Sequence, residues 1–167
     1  MLHILKRTDI ALDGGLLVRL AADHGREAKL RGAMLARPDL PGPARLILVQ
    51  RVTEALRDTR LVAGALPPER LERLLRDGTD TALSAIGETE AYLRKREFVQ
   101  TLVGSSQLNA RILLHAIVTG HVMFFASCIA ELTSVTREKV YTLLESGSRA
   151  SLVALLHRAD ISSALAK

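Results

Sequence analysis

The residues with the most to say about chemistry lie between Ile129 and Leu144. Ile129-Ala130-Glu131-Leu132-Thr133-Ser134-Val135-Thr136-Arg137-Glu138-Lys139-Val140-Tyr141-Thr142-Leu143-Leu144 has the spacing of a helix-turn-helix. Ala130 is the small residue where two helices would cross, and Ser134 holds the turn position that favours Gly. Leu132, Val135, Val140 and Leu143 would form the shared core. Thr136 would cap the second helix, turning Arg137, Glu138 and Tyr141 toward the major groove of DNA. The chemistry would be recognition of phosphates and base edges. A tight corner in any all-helical protein produces the same spacing, and the local charge favours that plainer reading. Arg137 and Lys139 stand against Glu131, Glu138 and Glu145, whereas phosphate neutralisation supplies most non-specific DNA affinity.

Other chemistries have less behind them. Cys128 and His121 are seven apart and share a helical face, but zinc needs two more ligands. His115 is the only neighbour in sequence, so a buried thiol and a satisfied histidine are expected, with no metal and no cofactor. Gly104-Ser105-Ser106 is not a nucleophile elbow, and no phosphate-binding loop or dinucleotide fingerprint occurs. Glu88 and Glu90, two apart, point to different sides of a helix. A non-enzymatic protein is expected. Met123-Phe124-Phe125 gathers much of the aromatic content, with Phe125 on a core stripe and Phe124 about 100° around the helix. Core packing is the first expectation there; Met123 and Phe124 are the candidates for a partner or dimer surface. Arg94-Lys95-Arg96, flanked by Glu90 and Glu97, reads as a solvated helix face, or else as a contact for an acidic partner.

Positioning any of these residues is the task of helices. The chain has 167 residues, 48% of them apolar, which excludes a disordered chain and suits a single domain over 1–167. One cysteine forms no intrachain disulfide, which points to a reducing cytoplasm. The net charge of +5 hints at nucleic acid, yet it is spread out: residues 51–100 carry nine cations and nine anions. The apolar start Met1–Leu5 is too short for a signal peptide and lacks a following cleavage site, so no export signal is read. Ile112–Ala130 contains no Asp, Glu, Lys or Arg and imitates a membrane span. Thr119-Gly120 reads as a helix stop within it, so two short buried helices and no span are expected.

Apolar residues recur every three or four positions. An N-terminal helix pair over 1–37, broken near His24-Gly25, precedes a breaker at 37–43 (Arg37-Pro38-Asp39-Leu40-Pro41-Gly42-Pro43) and the main helical array over 43–167. Leu46, Val49, Val52 and Leu56 form the next stripe, in a helix that continues or bends through Leu61-Val62 to Leu66. Pro67-Pro68 opens a helix that buries Leu71, Leu74 and Leu75 and ends at Asp77-Gly78. A long helix is expected over 79–103, with Leu83, Ile86, Leu93, Val99, Leu102 and Val103 inside. Asn109 and Thr136 are N-caps, each with a staple, Leu108 with Leu113 and Val135 with Val140. Leu152, Leu155 and Leu156 mark a last helix, and Ile161-Ser162 starts a further turn. Short turns between helices predict antiparallel neighbours in a layered or HEAT-like array, although no repeat of fixed period is found.

Leu108-Asn109-Ala110-Arg111-Ile112-Leu113-Leu114-His115-Ala116-Ile117, then Gly120, Phe124-Phe125, Ile129-Ala130-Glu131-Leu132-Thr133 and Val140–Leu144, followed by Leu152–Leu156, resemble the core of the bacterial family catalogued as domain of unknown function 2336. Ala36-Arg37-Pro38-Asp39-Leu40-Pro41 is similar to a helix-connecting phrase in that family. The resemblance is clearest over 105–160. It implies an all-helical, HEAT-like protein and carries over no catalytic residue. Family members are usually longer, which implies a short member or one portion of a longer protein, with Lys167 a cut end. The function expected is a non-catalytic protein-interaction or scaffold module in the bacterial cytoplasm, bound to a protein partner or to itself. The alternative is a DNA-binding regulator acting through 129–144.

Overall fold

A computed structural model describes residues 1–59 and 64–159. The described residues are helical with no strand, and their contacts form two compact units that divide between Ala82 and Leu83.

In the first unit α1 is Leu2–Leu5, α2 Gly14–His24, α3 Ala28–Leu35 and α4 Gly42–Asp58. The Asp13 carboxylate accepts the Leu16 N–H at 2.9 Å and starts α2. The break after His24 and the breaker at 37–43 fall where the sequence puts them. Leu5, Leu17, Ala21, Leu30, Met34, Leu40, Ala44 and Leu48 make one core. At its edge Arg37 is fully buried. Its guanidinium donates to the carbonyls of Leu5 (3.1 Å), Arg7 (2.8 Å) and Ile10 (2.6 Å), and to both Asp39 oxygens (2.8 and 2.7 Å). Asp39 in turn accepts the Leu12 N–H at 2.9 Å. That hydrogen bond to Arg37 holds the Asp39 carboxyl below the usual carboxylate range. The breaker is therefore also a latch on the N-terminal arm.

Three expectations for this region are corrected. In α4 the deepest residues are Ala44, Leu46 and Leu48, while Val49 and Val52 are half-buried and Leu56 is exposed. The stretch at Leu61-Val62 lies outside the described residues. Asp77-Gly78 does not end a helix: α5 runs unbroken over Pro68–Tyr92. A glycine inside a helix costs only about 1 kcal/mol relative to Ala, which packing on both sides of it offsets. Leu71 and Leu75 are buried as expected, and Leu74 is exposed.

In the second unit the last part of α5 is followed by α6 Glu97–Gly104, α7 Ala110–Val118, α8 Val122–Thr133, α9 Arg137–Glu145 and α10 Arg149–Arg158. The long helix expected over 79–103 is two helices, because the chain turns at Arg94. There φ is 57°, the Arg94 N–H bonds the Ala91 carbonyl at 3.0 Å and the Lys95 N–H bonds that of Glu90 at 2.9 Å. This is the left-handed cap that usually takes Gly; a side chain there costs roughly 1–2 kcal/mol. Leu93, beyond the helix, is consequently exposed.

Asn109 and Thr136 cap as expected, accepting the N–H groups of Ile112 (3.1 Å) and Lys139 (3.4 Å). Gly120, with φ of 83°, splits the uncharged stretch into α7 and α8. Among the described residues no helix is long and apolar enough to cross a membrane. The core holds Leu83, Phe98, Val99, Leu102, Ile112, Leu113, Ala116, Phe124, Phe125, Ile129 and Val140. In α10 Leu155 is buried; the side chain of Leu152 and the turn expected at Ile161-Ser162 lie outside the described residues.

Candidate functional site

The α8–α9 corner has the conformation that its sequence suggests. Ser134 sits at φ 56°, the left-handed turn position, and Thr136 caps α9. Of the four residues expected in the corner's core, Val140 is buried and Leu132, Val135 and Leu143 are half-buried. Thr136 is exposed, and Tyr141 keeps 37% of its surface. Arg137 is turned inward: its side chain is 20% exposed and its Nη1 donates to the Ala91 carbonyl at 2.7 Å. A cation at the C-terminal end of α5 is favoured by the helix dipole. This contact ties the start of α9 to the end of α5, which sequence reasoning did not foresee.

The same corner faces a cleft of ≈ 440 Å³. The α5–α6 turn contributes Arg94, Lys95 and Arg96 to its wall, and the corner contributes Ser134, Thr136 and Arg137. Glu131 and Glu138 also line it, and Val99, Ser127, Ala130 and Val135 complete the wall. The expectation of a solvated helix face for 94–96 is corrected: the run lies in a turn, off either helix. So is the local charge balance of the corner, because three cations some forty positions away in sequence join it. Among the described residues no carboxylate pairs with Arg94, Lys95 or Arg96, and the Arg137–Glu138 approach is loose at 3.9 Å.

Phe124, a candidate for a partner surface, is fully buried. Its ring lies over Gly87, where a Cβ would collide with it, and its centroid is 6.1 Å from that of Phe98. The reason is that α8 is apolar nearly all round, and such a helix belongs inside. Met123 is half-buried. Glu88 explains how α8 starts without a side-chain cap of its own. Its carboxylate accepts the N–H of Met123 at 3.4 Å and of Phe124 at 2.7 Å. A capping carboxylate from another helix has no local sequence signal, and Glu88 was missed for that reason.

Cys128 is buried, and desolvation pushes its thiol well above the usual range, so it is a poor nucleophile and a poor metal ligand. The His121 Nδ1 hydrogen-bonds the Thr119 hydroxyl at 2.7 Å. Among the described residues no three of His, Cys, Asp and Glu converge on a point that could hold a metal. Ser105 donates to the Thr101 carbonyl at 2.7 Å within its own helix end.

One further surface stands out. Leu114, Ile117 and Val118 are 53%, 39% and 78% exposed along the outer side of α7, opposite the buried Ile112, Leu113 and Ala116.

A sequence model described as an uncharacterised protein conserved in bacteria, DUF2336, matches residues 3–167, nearly the whole chain. Neither a curated protein nor a solved structure matches it.

Proposed function

We propose, for a chain that belongs to the DUF2336 family of bacterial proteins, a non-catalytic role as a protein-interaction module. The outer side of α7 carries this reading. Leu114, Ile117 and Val118 stand at i, i+3 and i+4 and form one apolar face, on a helix whose other face is already buried. The occupant we assign to it is a second copy of the chain. Two copies with a net charge of +5 each repel one another. Leu114, Ile117 and Val118 themselves set no like charges against one another in such a pairing, with Arg111 lying one turn before Leu114. Pairing of one patch with itself closes a two-fold dimer, the commonest assembly.

The HEAT-like layering of helix pairs belongs to this proposal. It is supported by the packing of consecutive helices, α7 on α8 and α8 on α9. A cytoplasmic setting is supported by the single buried thiol.

Sedimentation velocity on the full chain tests the reading, beside a Leu114→Glu, Val118→Glu double variant. The chain should sediment as a dimer and the variant as a monomer with unchanged helical circular dichroism. A chain that stays monomeric at ~100 μM, a concentration far above typical dimer dissociation constants, sinks it.

A further inference from the structure

The cleft at the α5–α6 turn is independent of the α7 face and points to a ligand. Arg94, Lys95 and Arg96 wall it with no carboxylate partner among the described residues, although Glu90 and Glu97 flank them in sequence. Arg94 occupies a left-handed position at φ 57°, as Ser106 and Ser134 do at their own turns, where glycine would sit free of strain.

The chemistry of the ligand follows from the lining. Arg94, Lys95, Arg96 and Arg137 share the lining with Glu131 and Glu138, so the wall has two positive charges to spare. Three of the four cations are arginines, whose planar fork pairs two N–H groups with two oxygens of a phosphate. A volume of ≈ 440 Å³ suits a small molecule or a single side chain. We propose that this cleft binds the dianionic phosphate group of a small phosphate monoester. Arg94, Lys95 and Arg96 hold the oxygens. Arg137 is a positioning residue: its bond to the Ala91 carbonyl fixes the corner against the turn.

Calorimetric titration of the full chain with O-phosphoserine, serine, inorganic phosphate, phosphatidic acid vesicles and a DNA duplex tests this. Phosphoserine should bind saturably and serine should not. Affinity should rise between pH ~5 and ~7.5, as the phosphate takes its second charge near pH ~6. Vesicles binding more tightly than phosphoserine would identify a lipid headgroup as the source of the phosphate; the reverse order would identify a soluble ligand. Arg94→Gly keeps the turn and should weaken binding roughly tenfold, the scale of one lost charge-assisted contact. Lys95→Ala with Arg96→Ala gives a second measure that leaves Arg94 in place. The proposal is overturned by unsaturable binding equal for phosphate and its esters, an adventitious ion only. It is also overturned by an Arg94→Gly variant that binds as well as the original. Salt-steep binding of the duplex with none of phosphoserine overturns it in favour of DNA recognition at 129–144. Repeating the titration on the Leu114→Glu, Val118→Glu variant keeps this result separate from the fate of the dimer.

Discussion

Arg37 and Arg94 are the same residue type in opposite circumstances. Arg37, in the first unit, is fully buried and bonds three carbonyls and both oxygens of Asp39. Arg94, in the second, is exposed on a strained turn, and no described carboxylate pairs with it. A charge taken out of water must be matched by hydrogen bonds, so Arg37 is committed to the fold. A charge left on a cleft wall contributes nothing comparable to stability and stays available to a ligand. Arg137 lies between the two: it caps α5 and still lines the cleft. The difference separates cations that build this protein from cations that can serve it.

Removing Arg37 tests that separation most severely. Arg37→Ala leaves Asp39 and three carbonyls without their donor and should destabilise the chain by about 3–5 kcal/mol in urea. Arg37→Lys should not restore it, because an ammonium cannot match the planar fork. A loss below ~1 kcal/mol would break the comparison.

The second unit is held by packing more than by charge, and Gly87→Ala probes this. The new Cβ meets the fully buried Phe124 ring, for an expected loss of about 1–3 kcal/mol. An unchanged melting temperature would mean that the ring is not confined there.

Asp39 gives the comparison a pH axis. Its folded pKa is depressed, chiefly by the hydrogen bond from Arg37, so its contribution to stability is present above the unfolded value of ~3.9. That contribution fades as pH falls through the lower, folded value. Acid denaturation should therefore be steeper in the original chain than in Asp39→Asn below pH ~4, and parallel curves would count against the latch.

The smallest effect has the opposite sign. Arg94→Gly should stabilise the chain by ~0.5–1 kcal/mol, the relief of left-handed strain less the entropy that Gly adds to the unfolded chain. A destabilised variant would put Arg94 among the residues that build the fold, beside Arg37.

Much of this protein was legible one helix at a time. Asn109 and Thr136 cap because a short polar side chain reaches an N–H three residues on, which spacing alone reveals. Gly120 divides the uncharged stretch because its left-handed φ suits glycine best. The breaker at 37–43 was visible from its prolines, but the buried guanidinium within it was not, since arginine is almost always exposed. Gly78 misled because a glycine weakens a helix without ending it. Phe124 bears out the core packing expected first and not the partner surface offered beside it; a helix apolar on every side offers no pattern from which to pick its outer face.

By itself, the sequence determined the all-helical class, most helix limits, the corner at Ser134 and membership of a bacterial family, because propensity, capping and apolar period are local. Tertiary structure alone decided that Arg94, Lys95 and Arg96 wall the same cleft as Arg137, that Glu88 caps α8 and that Arg37 latches the N-terminal arm. Each of these joins groups some thirty or more positions apart. Charges and hydrogen-bonding groups act over a few ångströms of space, and the distance between them along the chain leaves no mark in the sequence.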